Sequence, residues 1–372
     1  MEKILKTKIS FGDKYKINNN SMDIIRLFLS ILVIYGHTFP ILYGPSLVSP
    51  SGKMDFLATF SNNQIGSGTV AVYIFFILSG FLISQSMLNS NSCSEYLIKR
   101  GLRLLPAYFC SLIMSTLILG PIVSNYKYID YIKTGDPFKY IIHNITFGIF
   151  GFHYSLVDVY SNNPFPSSIN ASMWTLPYEV ACYLMILLFA VFGILSKKER
   201  FLAIFIISLL FAYYSFKSGN IPIVVDDTYW LLGANHIKPL IELGGFFMSG
   251  TCIYIFRDKI PFSKWIFISL MLLLLFFMKI GYFKYGLLFF LPYITMYLSI
   301  LPSKIDLRKF GDFSYGSYIY AFPIQQFLIN ILPIKLSFIW FFVISTIAIL
   351  IVAIISWYLI EKPFLHLKRK LS

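Results

Sequence analysis

Two ionisable residues in one apolar segment are the first candidates for chemistry. The stretch MDIIRLFLSILVIYGHTFP carries Arg26 near its start and His37 near its end. Eleven residues at about 3.6 per turn is almost three whole turns, so both side chains lie on nearly the same face of one helix, roughly 16 Å apart along its axis. Ser30 falls on that face, and Asp23 extends it one turn earlier. The imidazole of His37 can accept a proton at physiological pH, which suits a general base.

Both residues also have a structural interpretation. Arg26 could reach the lipid headgroups from a position near the helix end, because long basic side chains extend toward the interface. His37 lies deeper, where it could be a histidine that is satisfied by its neighbours. An ionisable group inside a membrane segment is costly, so the sequence favours function for the pair.

A basic cluster precedes the third apolar segment. In YLIKRGLRLLPAYF, Lys99, Arg100 and Arg103 come together, and Arg100 and Arg103 share a helix face. Guanidinium groups in this arrangement suit a phosphate or another anion. The alternative is a simple topology signal. In FFILSGF, just before this cluster, Ser79 and Gly80 would let a ligand approach closely, or would let two helices pack.

Carboxylates mark three further places. Glu179 follows Trp174 and a proline in SMWTLPYEVACY, where it could act as an acid or base or only favour the positive end of a helix dipole. Glu242 stands alone in an apolar segment beside two glycines that also fit tight packing. Glu361 lies in the terminal SWYLIEKPFLHLKRK next to Lys362, where a surface ion pair is the simpler interpretation.

The elements that position these residues are membrane helices. The chain of 372 residues is 57% hydrophobic and 13% charged, with a mean hydropathy of +0.71, so it is predicted to be an all-α polytopic membrane protein. Its long unbroken apolar runs favour helices over a barrel. Hydropathy predicts a bundle of about ten transmembrane helices, at 22–42, 69–88, 103–122, 172–195, 201–217, 232–256, 263–281, 284–301, 313–333 and 336–360.

Charge predicts the orientation. The net charge of +14 reflects the positive-inside rule rather than a nucleic-acid partner, and it places both termini in the cytosol. The apolar stretch 138–155 is expected not to cross, because a crossing would move every later basic loop outside. We therefore predict basic cytosolic tails at 1–21 and 366–372, a transmembrane domain at 22–365, and long outer segments at 43–68 and 123–171. The four cysteines have no metal-ligand spacing, so no metal site is predicted.

The order and spacing of these motifs resemble the acyltransferase 3 family of membrane-bound O-acyltransferases. The motifs are Asp-x2-Arg-x10-His in the first span, FFxxSGF in the second, RxxR before the third, WxLxxE at the opening of a later span and a terminal IEKPF. Here they correspond to Asp23, Arg26, His37; Phe75, Phe76, Ser79, Gly80, Phe81; Arg100, Arg103; Trp174, Leu176, Glu179; Glu361 and Pro363. The resemblance extends from residue 20 to about 365.

The resemblance implies an acyltransferase that moves an acyl group, most often acetyl, from cytosolic acetyl-CoA to a hydroxyl of a cell-surface polysaccharide or its lipid-linked precursor. It implies catalytic roles for His37, Arg26 and Glu179, donor binding by Arg100, Arg103, Ser79 and Gly80, and support from Asp23, Trp174 and Glu361. The family often has a histidine where this chain has Ala321, so any contribution from a second histidine there is absent.

The implied setting is the bacterial inner (cytoplasmic) membrane. The acyl-CoA would be a co-substrate and not a permanently bound cofactor, and the expected partners are the donor, a carbohydrate acceptor and the lipid bilayer. Neither the oligomeric state nor the acceptor sugar follows from the sequence. The alternative function is a transporter or flippase for a lipid-linked sugar or small anion, for which the polar stripe of the first span would be a pathway.

Overall fold

Helices make up the regular structure of the described chain. The structure is a computed structural model that describes residues 9–44, 55–147, 152–217, 234–332 and 336–371, and these ranges contain no β-strand, only two isolated bridges. The α-helices are α1 (Phe11–Lys14), α2 (Met22–Tyr43), α3 (Phe56–Phe60), α4 (Ser67–Leu88), α5 (Cys93–Ile113), α6 (Gly120–Val123), α7 (Tyr128–Lys133), α8 (Asp136–Ile145), α9 (Leu176–Val191), α10 (Lys198–Lys217), α11 (Ala234–Ile255), α12 (Lys264–Lys279), α13 (Phe283–Ile300), α14 (Ser314–Ile331), α15 (Phe338–Ser356) and α16 (Lys362–Leu371). Two π-helical turns (Met114–Leu119 and Trp357–Glu361) and two 3-10 turns (Ala171–Thr175 and Leu307–Lys309) complete the set.

The chain is a multi-pass membrane protein. Each of the ten predicted segments contains a helix, and within the described residues seven helical stretches are long and apolar enough to cross a membrane. They are Met22–Tyr43, Ser67–Leu88, Cys93–Val123, Ala171–Val191, Lys198–Lys217, Phe283–Ile300 and Phe338–Leu367. Of the other three, α12 has 16 residues, whereas α11 and α14 contain polar side chains such as Glu242 and Gln325 that lower their hydropathy.

The helix that carries the basic cluster starts earlier than predicted. It begins at Cys93, where the Ser92 hydroxyl accepts a hydrogen bond from the backbone N–H of Glu95 at 3.1 Å, and it runs on through a π turn to Val123. The prediction that Lys99, Arg100 and Arg103 precede this helix is therefore wrong. The three residues lie within α5, so the helix geometry determines the direction in which each side chain points.

The stretch 138–155 forms a short helix where it is described. Helix α8 has ten residues, which corresponds to about 15 Å and is too short to cross a bilayer. Residues 148–151 lie outside the described residues, as do 45–54 in the first predicted outer segment. Segment 152–170 is tied to α8 through Asn144. The Asn144 side chain accepts a hydrogen bond from the N–H of His153 at 3.1 Å and donates one to the carbonyl of His153 at 2.7 Å.

Helix α4 occupies the centre of the bundle and packs tightly against α11. A Cβ placed on Gly80 would lie 1.9 Å from the carbonyl oxygen of Phe247, and one on Gly250 would lie 1.9 Å from that of Ile77. The two backbones are therefore in direct contact, which only glycine permits. Gly80 is therefore a helix-packing residue. The structure places it against the backbone of α11, whereas the sequence predicted that it binds the donor.

The start of the chain is packed from residue 9 onward. Phe11 is fully buried, with its ring edge-on to Phe262 and Tyr293 at 5.4 and 5.2 Å. Its N–H donates to the Ile260 carbonyl at 3.0 Å. The predicted tail 1–21 is thus anchored to the bundle through its second half, and residues 1–8 lie outside the described residues.

Candidate active site

A cavity of about 270 Å³ lies between α2, α4, α5, α9 and α14. Its wall on α4 extends from Val72 to Ile83, which is roughly 16 Å along the helix axis. One end carries cationic side chains and the other end is apolar with two hydroxyls. The lining residues are Arg26, Val72, Phe75, Phe76, Leu78, Ser79, Leu82, Ile83, Lys99, Arg100, Arg103, Leu104, Thr175, Glu179, Tyr183, Ser314, Tyr315, Tyr318 and Leu365.

Asp312 joins the two arginines that the sequence placed in different motifs. Its Oδ2 accepts from Arg26 at 2.7 Å and from Arg103 at 2.5 Å. Its Oδ1 accepts from the Ser314 hydroxyl at 2.5 Å and from the Ser314 N–H at 3.3 Å, at the start of α14. Burial raises the pKa of Asp312, but the guanidinium groups of Arg103 and Arg26 lower it more strongly, to well below its ordinary range. The carboxylate is therefore charged and holds α2, α5 and α14 together.

Glu361 completes this ionic network from the far end of the chain. It lies on the π turn after α15, its side chain is 2% exposed, and its Oε2 is 3.5 Å from Arg103. Its Oε1 is 3.4 Å from the Ser356 hydroxyl. The surface pair with Lys362 that the sequence suggested is thus not the arrangement found. The buried partner is Arg103, which has two carboxylates against its single charge.

Arg100 differs from the other cavity cations because the described structure gives it no acidic partner within 4.0 Å. Its guanidinium donates to the Ser86 hydroxyl at 3.2 Å, and its Nε is buried with no hydrogen-bond partner. Lys99, by contrast, pairs with Glu95 one turn earlier. A buried donor without an acceptor is costly, and the side chain to which it belongs lines an open cavity. Arg100 is therefore the cavity residue best prepared to receive an anion.

Glu179 faces the same cavity as the arginines. Its carboxylate accepts a short hydrogen bond from the Tyr183 hydroxyl, one turn along α9. Arg26 and Arg100 line the same cavity, so the carboxylate and the two guanidinium groups face one space.

The cavity ends at two hydroxyls. Thr175 Oγ1 and Tyr318 OH are 2.5 Å apart, and both side chains are buried. The ring of Phe75 lies against Tyr318, with centroids 6.1 Å apart. The hydroxyl pair carries no formal charge and lies beside an apolar ring, in contrast to the cationic end, and Glu179, four residues after Thr175, is close enough to interact electrostatically with Tyr318.

His37 does not line the cavity but lies close beyond its end. Its ring is edge-on to Phe322 with centroids 5.4 Å apart, and its Nδ1 is buried without a hydrogen-bond partner among the described residues. Phe322 follows Tyr318 by four residues on α14, which is about 6 Å along the axis. One helical turn therefore separates the last cavity-lining residue of α14 from the residue that contacts His37.

Comparison with known proteins matches this arrangement to one family. Residues 19–358 match the acyltransferase 3 family model, which is described as an acyltransferase domain. The chain belongs to the acyltransferase 3 family.

Three relatives extend the match. An O-acetyl transferase of Shigella phage Sf6 is 27% identical over 354 residues, 93% of this chain and 96% of the relative. Nodulation protein 10 of Rhizobium leguminosarum bv. viciae is 23% identical over 375 residues, 95% of each chain. A putative peptidoglycan O-acetyltransferase of Bacillus subtilis, YrhL, is 23% identical over 342 residues, 81% of this chain and 51% of the relative. No solved structure matches the chain.

The acyltransferase brings half of the ten predicted site residues, which come from separate motifs, to one cavity. Arg26, Ser79, Arg100, Arg103 and Glu179 all line the cavity. The other five, including His37, lie outside its wall. Asp23 is 3.9 Å from Arg26, Trp174 packs edge-on against Tyr178 at 6.0 Å, Gly80 contacts α11, and Glu361 stands behind Arg103.

Three residues of the acyltransferase site were missed by sequence reasoning: Asp312, Thr175 and Tyr318. A local signal existed for Asp312, because GDFSYGSY places an aspartate two residues before the serine that opens a helix, as in a helix cap. No local signal points to the hydroxyl pair, whose members are 143 residues apart. Glu242, the lone carboxylate, is remote from the cavity and accepts from the Ser215 hydroxyl at 3.0 Å.

Proposed function

We propose that the protein is an O-acetyltransferase that moves an acetyl group from acetyl-CoA to a hydroxyl of a cell-surface polysaccharide or its lipid-linked precursor. The observation that carries the proposal is the cavity, which has at one end a guanidinium without a carboxylate partner among the described residues and at the other end neutral hydroxyls. The names of two relatives, an O-acetyl transferase and a putative peptidoglycan O-acetyltransferase, support acetyl as the group and a carbohydrate as the acceptor.

The donor would enter from the cationic end. Arg100 would bind a phosphate of the CoA through the terminal N–H groups of its guanidinium, which lines the cavity and makes one hydrogen bond, to Ser86. Arg26 and Arg103 are already neutralised by Asp312 and Glu361, so their part is to position the donor and to stabilise charge. The apolar wall of α4 is long and narrow, and a volume of about 270 Å³ suits the pantetheine arm with the nucleotide outside at the mouth.

His37 would act where the donor ends. In a direct transfer it removes the proton from the acceptor hydroxyl, and the hydroxyl oxygen attacks the thioester carbonyl carbon. In a two-step transfer the imidazole attacks first, CoA leaves, and the acetyl group then passes to the acceptor. Both routes use the same residue, and both need the acceptor on the side of His37 that faces away from the cavity.

Membrane topology supports this division. If the basic segments lie in the cytosol, the cationic end of the cavity opens to the compartment that contains acetyl-CoA, and His37 lies toward the opposite face. We place the protein in the bacterial inner membrane with both termini in the cytosol. Relatives from Bacillus subtilis and Rhizobium leguminosarum agree with a bacterial setting.

The test is donor turnover in lipid nanodiscs with acetyl-labelled acetyl-CoA and a cell-surface polysaccharide extract. Wild type should release CoA and label the polysaccharide, and His37→Ala should do neither while still binding CoA. Label retained on the protein would support the two-step route. Normal transfer by a folded His37→Ala variant would overturn the role of His37, and absence of turnover in wild type would overturn the proposed donor.

Arg100 has a matched control. Arg100→Met should raise the KM for acetyl-CoA about tenfold or more, because a hydrogen bond to a charged group is worth roughly 1.5–3 kcal/mol. Arg200→Met removes an exposed arginine at the start of α10 and should leave KM unchanged. An equal KM for both variants would place the phosphate elsewhere.

A further inference from the structure

The hydroxyls that face the cavity differ in where their protons go. The Ser314 hydroxyl donates to Asp312 at 2.5 Å, and the Tyr315 hydroxyl donates to the Leu104 carbonyl at 2.9 Å. The Tyr183 hydroxyl donates to Glu179. Each of these protons is committed to an acceptor within the protein, so none of the three can donate to a ligand without breaking an existing bond.

The pair formed by Thr175 and Tyr318 is different. Two hydroxyls 2.5 Å apart share one hydrogen bond, and either atom can be the donor. Each hydroxyl has one proton, so whichever way the shared bond points, one O–H is left over. The described structure gives neither oxygen another hydrogen-bond partner. The pair therefore keeps one donor for a third group, at the neutral end of the cavity.

We propose that the Thr175–Tyr318 pair donates this hydrogen bond to the carbonyl oxygen of the donor thioester and stabilises the negative charge that develops there. The inference rests on the proposed function, because it needs a thioester in the cavity. The pair lies at the end of the cavity opposite Arg100, so a donor held by a phosphate at Arg100 presents its acyl end there. It is also one helical turn from the residue that contacts His37.

The transfer passes through a tetrahedral intermediate at the thioester carbon. The attacking atom, the acceptor oxygen or the imidazole nitrogen, forms a bond to the carbonyl carbon, and the carbonyl π electrons move to its oxygen, which accepts the O–H of the pair. When the intermediate collapses, the carbon–sulfur bond breaks and CoA leaves as the thiolate. In the direct route, the proton that His37 took from the acceptor hydroxyl ends on that sulfur. In the two-step route the thiolate leaves first, and the acceptor hydroxyl gives up its proton only when its oxygen attacks the acetyl-imidazole and restores free His37. Donors that are fixed before the reaction stabilise such an oxyanion effectively, and losing one typically costs about 10²–10³ in kcat.

If either hydroxyl of the pair can donate, kcat should fall little in each single variant and much more in the double variant. Tyr318→Phe leaves Thr175 with a proton that is no longer shared, and Thr175→Val does the same for Tyr318. Each single variant should therefore lose less than about tenfold in kcat, whereas the double variant, which has no hydroxyl, should lose about a hundredfold or more. Because the two side chains are in contact, loss of packing can also be non-additive, so the predicted signature is a loss in kcat with unchanged CoA binding.

The experiment measures acetyl-CoA turnover and CoA binding in nanodiscs for wild type, both singles and the double. CoA lacks the acetyl carbonyl, so its Kd should stay within about twofold in every variant. Tyr320→Phe is the matched control. Tyr320 lies on the same helix in a second hydroxyl pair, 3.1 Å from Ser356, but does not line the cavity, so this variant should keep wild-type kcat.

A double variant that binds CoA normally and loses no more than the product of the singles would overturn the inference. Tyr318→Phe with Thr175→Ser supplies a second measurement that does not depend on the folding of the double. It retains one hydroxyl and should stay within about tenfold of wild type, and a hundredfold loss would also overturn the inference. If wild type and Tyr320→Phe release no CoA at all, the proposed function itself fails.

Discussion

The carboxylate shared by two arginines gives the sharpest prediction about the site. Asp312 Oδ2 is 2.7 Å from Arg26 and 2.5 Å from Arg103, so the two guanidinium nitrogens lie about 5 Å apart at most. Asp312→Asn keeps the shape and removes the charge. With an effective dielectric constant near 20, two unit charges at this distance repel by roughly 3 kcal/mol. Breaking a buried ion pair by removing one partner typically costs a similar amount, about 3–5 kcal/mol.

We therefore expect Asp312→Asn to lower the midpoint of thermal unfolding by roughly 5 °C or more. We also expect kcat for acetyl transfer to fall at least about tenfold, because Arg26 loses the group that holds it. Unfolding would be followed by tryptophan fluorescence in nanodiscs, and turnover by release of CoA. Asp258→Asn is the control, since Asp258 is 69% exposed and 4.0 Å from Arg257. An exposed pair of this kind contributes little, so its variant should behave as wild type.

A second substitution separates charge repulsion from lost packing. Asp312→Asn combined with Arg26→Gln removes one cation with the anion and leaves Arg103 paired with Glu361. This double variant should recover most of the lost stability but none of the activity. If it is as unstable as Asp312→Asn alone, or if Asp312→Asn unfolds like wild type, the reasoning from the shared carboxylate is refuted.

Three further predictions concern pH and packing. A carboxylate with a lowered pKa contributes stability above its ordinary pKa, 3.8 for Asp312, and loses it as pH falls through the lower folded value. The stability difference between wild type and Asp312→Asn should therefore shrink as pH falls below about pH 4, and it is measured from about pH 5 downward because burial raises the pKa of the neighbouring Glu361 to about 7. Gly80→Ala places a Cβ 1.9 Å from a backbone carbonyl of α11 and should destabilise the protein by about 1–3 kcal/mol in the same unfolding assay, whereas Gly135→Ala, where a Cβ would meet nothing within 4 Å, tests only the strain of a positive φ. Asp136→Ala removes an acceptor for the Val157 N–H at 2.7 Å and a contact to His153 at 3.0 Å, so hydrogen exchange of the Val157 amide should speed up about tenfold, and unchanged exchange would show that the segment is held by other contacts.

The pattern of hydrophobic residues predicted the helices because that information is local. A run of about 20 apolar residues must be helical in a bilayer to satisfy its own backbone groups, and helices occupy all ten predicted segments. Boundaries were less accurate. The start of α5 at Cys93 depends on a capping serine in a polar stretch, which hydropathy does not register.

The partners of the site residues depend on the tertiary structure. Residue types and spacing by themselves identified Arg26, His37, Arg100, Arg103, Glu179 and Glu361 as candidates, because a charged or titratable group in an apolar segment is costly wherever the segment packs. The sequence did not show that Arg26 and Arg103 meet at Asp312, across separations of 286 and 209 residues, or that Gly80 faces a neighbouring backbone instead of a ligand. Those outcomes are decided by which helix faces pack together, and side-chain periodicity defines a face without naming its neighbour.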